Sequence, residues 1–244
     1  MPPAESVVRD RVGERLLELV EVMDRLRSPG GCPWDAEQTH ATLAPYLVEE
    51  AHELLEAIDT GDRAHLAEEL GDVLLQVVFH ARVATEHDRD PFDIDDVAAI
   101  LVAKLIRRHP HVFADVVADT PAQVVANWED IKAAEKPERT GPLDGIPASL
   151  PPLERATKVV SRLTRAGRLD ALDVVAAAPA THPASASPGQ EPAPIGSDLG
   201  DSADIGTALL ALVVRAHRAG VDPSAALRAA LRDIERVLSA DLRV

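Results

Sequence analysis

Two neighbouring segments of the sequence carry acidic residues at spacings that suit the binding of a divalent cation. The acidic positions are Glu49, Glu50 and Glu53 in the first segment, and Glu69 and Asp72 in the second. On α-helices, which turn about 100° per residue, each set would occupy one sector of its helix. Gly61 and Asp62 lie between the segments and predict a short turn. Two antiparallel helices would then gather four or five carboxylates around one cavity.

The second acidic pair adjoins residues 70–83, which are apolar on nearly every side and predict a central, buried helix. An ionised carboxylate in such surroundings costs several kcal/mol unless a cation or hydrogen-bond donors compensate it. Hard oxygen ligands select Mg²⁺ or Mn²⁺, so the pattern predicts a site for one of these ions. Solvated helix faces are the alternative interpretation. A di-iron carboxylate bundle is another, but neither acidic pair has the Glu-x-x-His pattern of that class.

Basic and aromatic residues further along the chain could complete a site for a phosphorylated ligand. Lys104, Arg107 and Arg108 lie within five residues and could neutralise a small polyanion, although cations also suit an ordinary helix end. Trp34 and Trp128 are the two tryptophans, and each could pack in the core or stack on a base. The histidines near the acidic segments are interpreted as polar or partner-facing rather than as metal ligands: His40, His52, His65 and His80.

Apolar spacing and helix-capping residues predict an all-α fold for the first part of the chain. Aromatic residues make up only 2% of the sequence, which favours helices packed by aliphatic side chains over a sheet. The predicted helices cover residues 5–27, 42–59, 62–86, about 93–109 and about 120–136.

The C-terminal part is predicted to be a second, decayed copy of the same helical unit. Residues 205–213 (IGTALLALV) echo residues 70–78 (LGDVLLQVV), but Thr207 replaces Asp72. We therefore expect a catalytic domain at 1–149 and a degenerate region at 150–244. Within that region we expect a basic helix at 153–168, a disordered Ala/Pro/Ser/Gly linker at about 172–204, and two closing helices at 205–240.

Composition restricts the classes of partner. The formal charge of −16 disfavours nucleic acid, which is bound by broad basic surfaces. No apolar run approaches the ~20 residues that span a bilayer, and no secretory leader is evident, so we expect a cytoplasmic protein without membrane contact. The single Cys32 excludes an internal disulfide. The predicted catalytic domain is thin, and we expect a homodimer or higher homo-oligomer to complete its core.

Several unlike motifs, in a fixed order, resemble those of the MazG family over roughly residues 10–137. They are 31–35 (GCPWD), 38–40 (QTH), 46–53 (YLVEEAHE), 69–72 (ELGD) and 104–113 (KLIRRHPHVF), followed by Trp128, Ile131, Lys132, Glu135 and Lys136. The resemblance implies an all-α nucleoside triphosphate pyrophosphatase fold, Mg²⁺ dependence and at least a dimer. It also implies attack of water on a nucleoside triphosphate, which yields the monophosphate and pyrophosphate.

The resemblance assigns roles to individual residues. Metal ligands fall on Glu50, Glu53, Glu69 and Asp72, and Glu49 lies close by as a further ligand or a water-activating base. Glu49 and Glu50 are the catalytic candidates. Substrate-binding residues fall on Tyr46, Lys104, Arg107, Arg108, Trp128 and Lys132, with Trp128 as the base-stacking plane. The substrates expected are standard or damaged NTPs and dNTPs, in a house-cleaning role; dUTP, dCTP or phosphoribosyl-ATP are alternatives within the enzyme class. A nucleotide-sensing or partner-binding module that keeps the metal cage with little turnover is the alternative function.

Overall fold

The computed structural model describes residues 13–139, 141–169 and 202–241, and these residues form α-helices without a strand. The chain divides into two compact units, Met1–Lys132 and Ala133–Val244. The helices are α1 (Glu14–Arg27), α2 (Pro33–Glu37), α3 (His40–Thr60), α4 (Arg63–Ala84), α5 (Ile94–Arg108), α6 (Pro110–Phe113), α7 (Pro121–Ala134), α8 (Pro152–Arg165), α9 (Ser202–Arg218) and α10 (Pro223–Asp241). The all-α prediction is confirmed.

The hairpin of α3 and α4 is the most extensive helix contact in the first unit. Gly61 ends α3 in the left-handed conformation, at a φ of 74°, which glycine adopts without a Cβ penalty. The Asp62 side chain then accepts hydrogen bonds from the backbone amides of Ala64 and His65, and so caps the start of α4. The predicted turn therefore joins two long helices through two residues.

The core of the first unit lies where α1, α3 and α4 meet. Met23, Leu43, Val78 and Phe79 are each at most 3% exposed, and Ile94 at the start of α5 packs against them. At one edge, Arg27 is buried and donates two hydrogen bonds of 2.9 Å to the Glu86 carboxylate. This pair attaches the end of α1 to the chain just beyond α4.

The expected burial of residues 70–83 is only half right. Val78, Phe79 and Ala81 are buried, but Leu70 is 53% exposed and Val77 is 40% exposed. An apolar helix is fully buried only when other helices pack around its whole circumference. Here α1 and α3 pack on part of the circumference of α4, and the rest stays exposed. The first unit thus carries an open apolar face on α4.

The second unit contains α8, α9 and α10, which pack on one another in pairs. Among the described residues of this unit, the buried apolar side chains are Val160, Leu163 and Val213. The echo at 205–213 lies within α9, and the decayed repeat stays a prediction, as does the domain boundary at 149/150. Most of the predicted disordered linker lies outside the described residues, although α9 already begins at Ser202. No helix in the described ranges is long and apolar enough to span a bilayer.

Candidate metal and nucleotide site

Three carboxylates from the two helices of the hairpin meet at one point. Glu50 of α3 and Glu69 and Asp72 of α4 each present an oxygen within 4.8 Å of the others. The antiparallel hairpin explains the meeting, since Glu50 precedes the turn by about as many residues as Asp72 follows it. Glu69 and Asp72 share a side of α4 because they are three residues apart. This close group contains three of the four or five acids that the spacing predicts to converge.

Glu69 is the most buried member of this carboxylate cluster, which is formed by Glu50, Glu69 and Asp72. It is 6% exposed, and its Oε1 lies 3.0 Å from Nε2 of His65, one turn earlier on α4. Its Oε2 is buried and has no hydrogen-bond partner. A buried carboxylate oxygen without a donor is costly, so this atom calls for a cation or a ligand donor that the protein itself does not supply.

Burial and the neighbouring acids together act on the ionisation of Glu50. Burial raises the pKa of the Glu50 carboxyl, and the neighbouring charges of Asp72, Glu53, Glu49 and Glu69 raise it further. Glu49 and Glu53 therefore contribute to the electrostatic field at the cluster, although both side chains are exposed and neither belongs to the close group of three. The structure brings Glu50, Glu69 and Asp72 together and leaves Glu49 and Glu53 beside them.

The donor set fits a hard divalent cation. The ligand atoms are all carboxylate oxygens, which Mg²⁺ and Mn²⁺ prefer over nitrogen or sulfur. A cation at this point would neutralise the mutual repulsion and would give the buried Glu69 oxygen a partner. The cluster is therefore suited to a divalent metal ion.

A second feature of the first unit is a hollow of about 360 Å³ between α5 and α7. The Arg108 guanidinium carbon lies 5.6 Å from the centroid of the Trp128 ring, and the Lys132 Nζ lies 4.2 Å from it. These are cation–π distances, and they place positive charge beside an aromatic plane. The residues that line the hollow are Lys104, Leu105, Arg108, His109, Val124, Val125 and Trp128.

The remaining predicted substrate residues lie elsewhere on the first unit. Tyr46 is one turn before Glu50 on α3, and its ring meets that of Trp34 edge-on at a centroid distance of 6.0 Å. Both rings are partly open to solvent, at 40% for Tyr46 and 51% for Trp34. Arg107 is in the last turn of α5 but is not among the residues that line the hollow.

Sequence reasoning missed three polar arrangements near the hairpin. One is the contact of His65 with Glu69, which the i,i+4 spacing could have suggested. Another is Gln76, which is 4% exposed and has a buried Oε1 without a hydrogen-bond partner. The third is the stacked pair of His40 and His80, whose Nδ1 atoms lie 2.8 Å apart. The third joins residues 40 positions apart, and no local spacing could predict it.

The fold and the site define the class: an all-α protein with a cluster of carboxylates on a helical hairpin. Residues 38–113 match the model of the MazG nucleotide pyrophosphohydrolase domain. The chain is 48% identical over 221 residues to the uncharacterized 26.1 kDa protein in the blaB 3′ region of Streptomyces cacaoi, covering 91% of this chain and 80% of that protein. It thus belongs to the MazG nucleotide pyrophosphohydrolase family, as the motifs predict.

Several relatives carry the name nucleoside triphosphate pyrophosphohydrolase, and two of them show the extent of the match. The one from Escherichia coli K12 is 50% identical over 152 residues, which is 61% of this chain and 57% of the relative. The one from Thermotoga maritima, whose name adds pyrophosphatase MazG, is 50% identical over 151 residues, with coverage of 62% and 57%. The chain spans a little over half the length of these two named relatives.

Proposed function

We propose that this chain hydrolyses nucleoside triphosphates to nucleoside monophosphates and pyrophosphate, and that Mg²⁺ is its metal. The observation that carries the proposal is the convergence of Glu50, Glu69 and Asp72 with one buried oxygen left without a donor. Two relatives named for this reaction, at 50% identity, support it further. Mn²⁺ is the other ion that this donor set would accept.

In this proposal the metal ligands are Glu50, Glu53, Glu69 and Asp72, with Glu53 approaching from its exposed position one turn after Glu50. Bound Mg²⁺ would supply charge stabilisation for the phosphate oxygens and orient the triphosphate. The carboxylate of Glu49 or Glu50 accepts a proton from a water molecule whose oxygen attacks the α-phosphorus. The new bond joins that oxygen to phosphorus, and the bond from the α-phosphorus to the bridging oxygen breaks, so that pyrophosphate leaves.

The basic and aromatic residues of the first unit supply the substrate-binding part of the proposal. Lys104, Arg107, Arg108 and Lys132 neutralise the phosphates, and Trp128 stacks on the base. The cation–π contacts at Trp128 support this role, because they hold cationic groups and an aromatic plane side by side. Tyr46 is proposed to contact substrate from the α3 side, one turn from Glu50.

The biological setting is also a proposal. We infer a cytoplasmic house-cleaning enzyme that removes standard or damaged NTPs and dNTPs, with no nucleic-acid partner because the net charge is −16.

We further infer a homodimer or higher homo-oligomer. The exposed apolar side chains Leu70, Leu74 and Val77 on α4 support it, since a second copy could cover them. Light scattering that shows a stable, active monomer would contradict the oligomer.

The deciding experiment measures pyrophosphate release from a panel of NTPs and dNTPs, damaged bases included, with and without Mg²⁺. Glu53→Ala and Asp72→Ala should lose activity. Glu68→Ala is the matched control, because Glu68 is an exposed acid on α4 next to the cluster. Unchanged turnover in both site variants would reject the assigned site. Tight nucleotide binding with negligible pyrophosphate release in the wild type would favour a sensing or partner-binding module instead.

A further inference from the structure

His65 makes a specific contact with the most buried acid of the carboxylate cluster. Its Nε2 lies 3.0 Å from Oε1 of Glu69, at the i,i+4 spacing that brings side chains on one helix face together. The backbone amide of His65 is itself held by the Asp62 carboxylate at 3.2 Å. The imidazole therefore extends from a capped, well-anchored first turn of α4.

The two oxygens of Glu69 have different surroundings. Oε1 lies 3.0 Å from the imidazole Nε2, within ion-pair distance, whereas Oε2 is buried and has no hydrogen-bond partner. The His65 side chain is 38% exposed and the Glu69 side chain 7% exposed, so the contact runs from the solvent edge inward. A polar partner this close to one oxygen can limit rotation of the carboxylate and leave the other oxygen to a ligand.

We propose that His65 is a positioning residue for Glu69: by donating to Oε1 it orients Oε2 as the metal-binding atom. This inference rests on the proposed function, because it takes the carboxylate cluster to be the site of a divalent cation. Outer groups that hydrogen-bond a metal ligand hold it in its binding geometry, and losing one costs 10–100-fold in metal affinity or activity in typical cases. His65 itself does not touch substrate or metal in this proposal.

The test compares three variants by their affinity for Mn²⁺, measured by calorimetry or electron paramagnetic resonance on the full chain without nucleotide. His65→Ala removes the donor, and His65→Gln keeps an N–H donor on a side chain that can still reach Glu69. His52→Ala is the matched control, because His52 is exposed and lies on the side of α3 opposite Glu50. Alanine is the better helix former, so His65→Ala should keep its fold.

We expect His65→Ala to weaken Mn²⁺ binding about 10- to 100-fold, with His65→Gln recovering most of the affinity and His52→Ala unchanged. The Mg²⁺ concentration for half-maximal turnover should rise in His65→Ala, while kcat at saturating Mg²⁺ stays close to the wild-type value. A merely structural role for His65 would instead lower the unfolding temperature in EDTA and would not be rescued by glutamine.

The possible failures are distinguishable. Wild-type protein that binds no Mn²⁺ and releases no pyrophosphate would overturn the metal site and the proposed function together. Wild-type binding that His65→Ala leaves unchanged would overturn only the role of His65. Equal weakening in His65→Ala and His65→Gln would also overturn it, because the hydrogen-bond donor would then not be what matters.

Discussion

Replacing Asp72 by asparagine should make the metal-free protein more stable. Asp72 faces Glu50 and Glu69 with oxygens within 4.8 Å. Two unit charges at that separation repel by about 3.5 kcal/mol at an effective dielectric constant of ~20. Asp72 and Glu50 are partly exposed, so water and salt reduce each repulsion to about 1 kcal/mol. We expect Asp72→Asn to raise the free energy of unfolding by about 1–2 kcal/mol in EDTA.

The same substitution should reverse its effect when Mg²⁺ is present. A ligand that binds only the folded state stabilises it by about 2.7 kcal/mol at 100 times its dissociation constant. Wild type should gain this increment, whereas Asp72→Asn, which lacks one ligand charge, should gain little. The order of stability of the two proteins therefore inverts between EDTA and saturating Mg²⁺.

Scanning calorimetry in EDTA and in Mg²⁺ measures both effects. A gain of 1–2 kcal/mol corresponds to a rise in Tm of about 3–6 °C for a chain of this size. Glu68→Gln is the matched control, since it removes an exposed acid of the same helix outside the cluster. A lower Tm for Asp72→Asn in EDTA, together with an unchanged response to Mg²⁺, would refute both the repulsion and the cation site.

Three further outcomes can be checked. The Arg27 hydrogen bonds lower the pKa of Glu86, so the stability from this pair is present above about pH 4.5 and is lost as pH falls through the folded-state pKa. In urea titrations Glu86→Gln should cost about 2 kcal/mol at pH 7, a figure discounted because the Glu86 side chain is 46% exposed, and this cost should shrink as pH falls below 4.5. Burial, and then the charge of His40, lowers the pKa of His80, so wild type should lose stability as pH falls below about 6.5. A Tm series should show a smaller loss in His80→Gln, and an equal loss would argue against this assignment. Trp128→Ala should raise KM for an NTP about tenfold or more with a smaller change in kcat, and Trp128→Phe should raise KM less. An unchanged KM in Trp128→Ala would show that Trp128 does not stack on the base.

The long helices were predictable because their signals are local. Thr39, Asp62 and Asp93 each cap a helix start, and apolar spacing marks the helices that follow. The two short helices, Pro33–Glu37 and Pro110–Phe113, were missed, since four or five residues give no measurable period. Both begin with a proline at the first helical position, the one local signal that could have revealed them.

Burial was predicted less well than helix position. Leu70 and Val77 have the same apolar character as Val78 and Phe79, but only the latter two face α1 and α3. Which side of an apolar helix is covered depends on neighbours that are distant in sequence, so composition alone cannot decide it. The same limit applies to Glu69: its acidity and spacing were evident, but the isolation of its Oε2 emerges only from packing.

The acidic site depends on the turn more than on any single carboxylate. Glu50 and Glu69 face each other because Gly61 and Asp62 join their helices with one fixed register. One residue more or less in that turn would rotate Glu69 by about 100° around its helix axis relative to Glu50. The left-handed conformation of Gly61 and the cap from Asp62 are local, yet they determine whether mutually repelling acids meet. Because the turn and the packed part of α4 hold the register, the hairpin can keep a carboxylate cluster that on its own would favour separation.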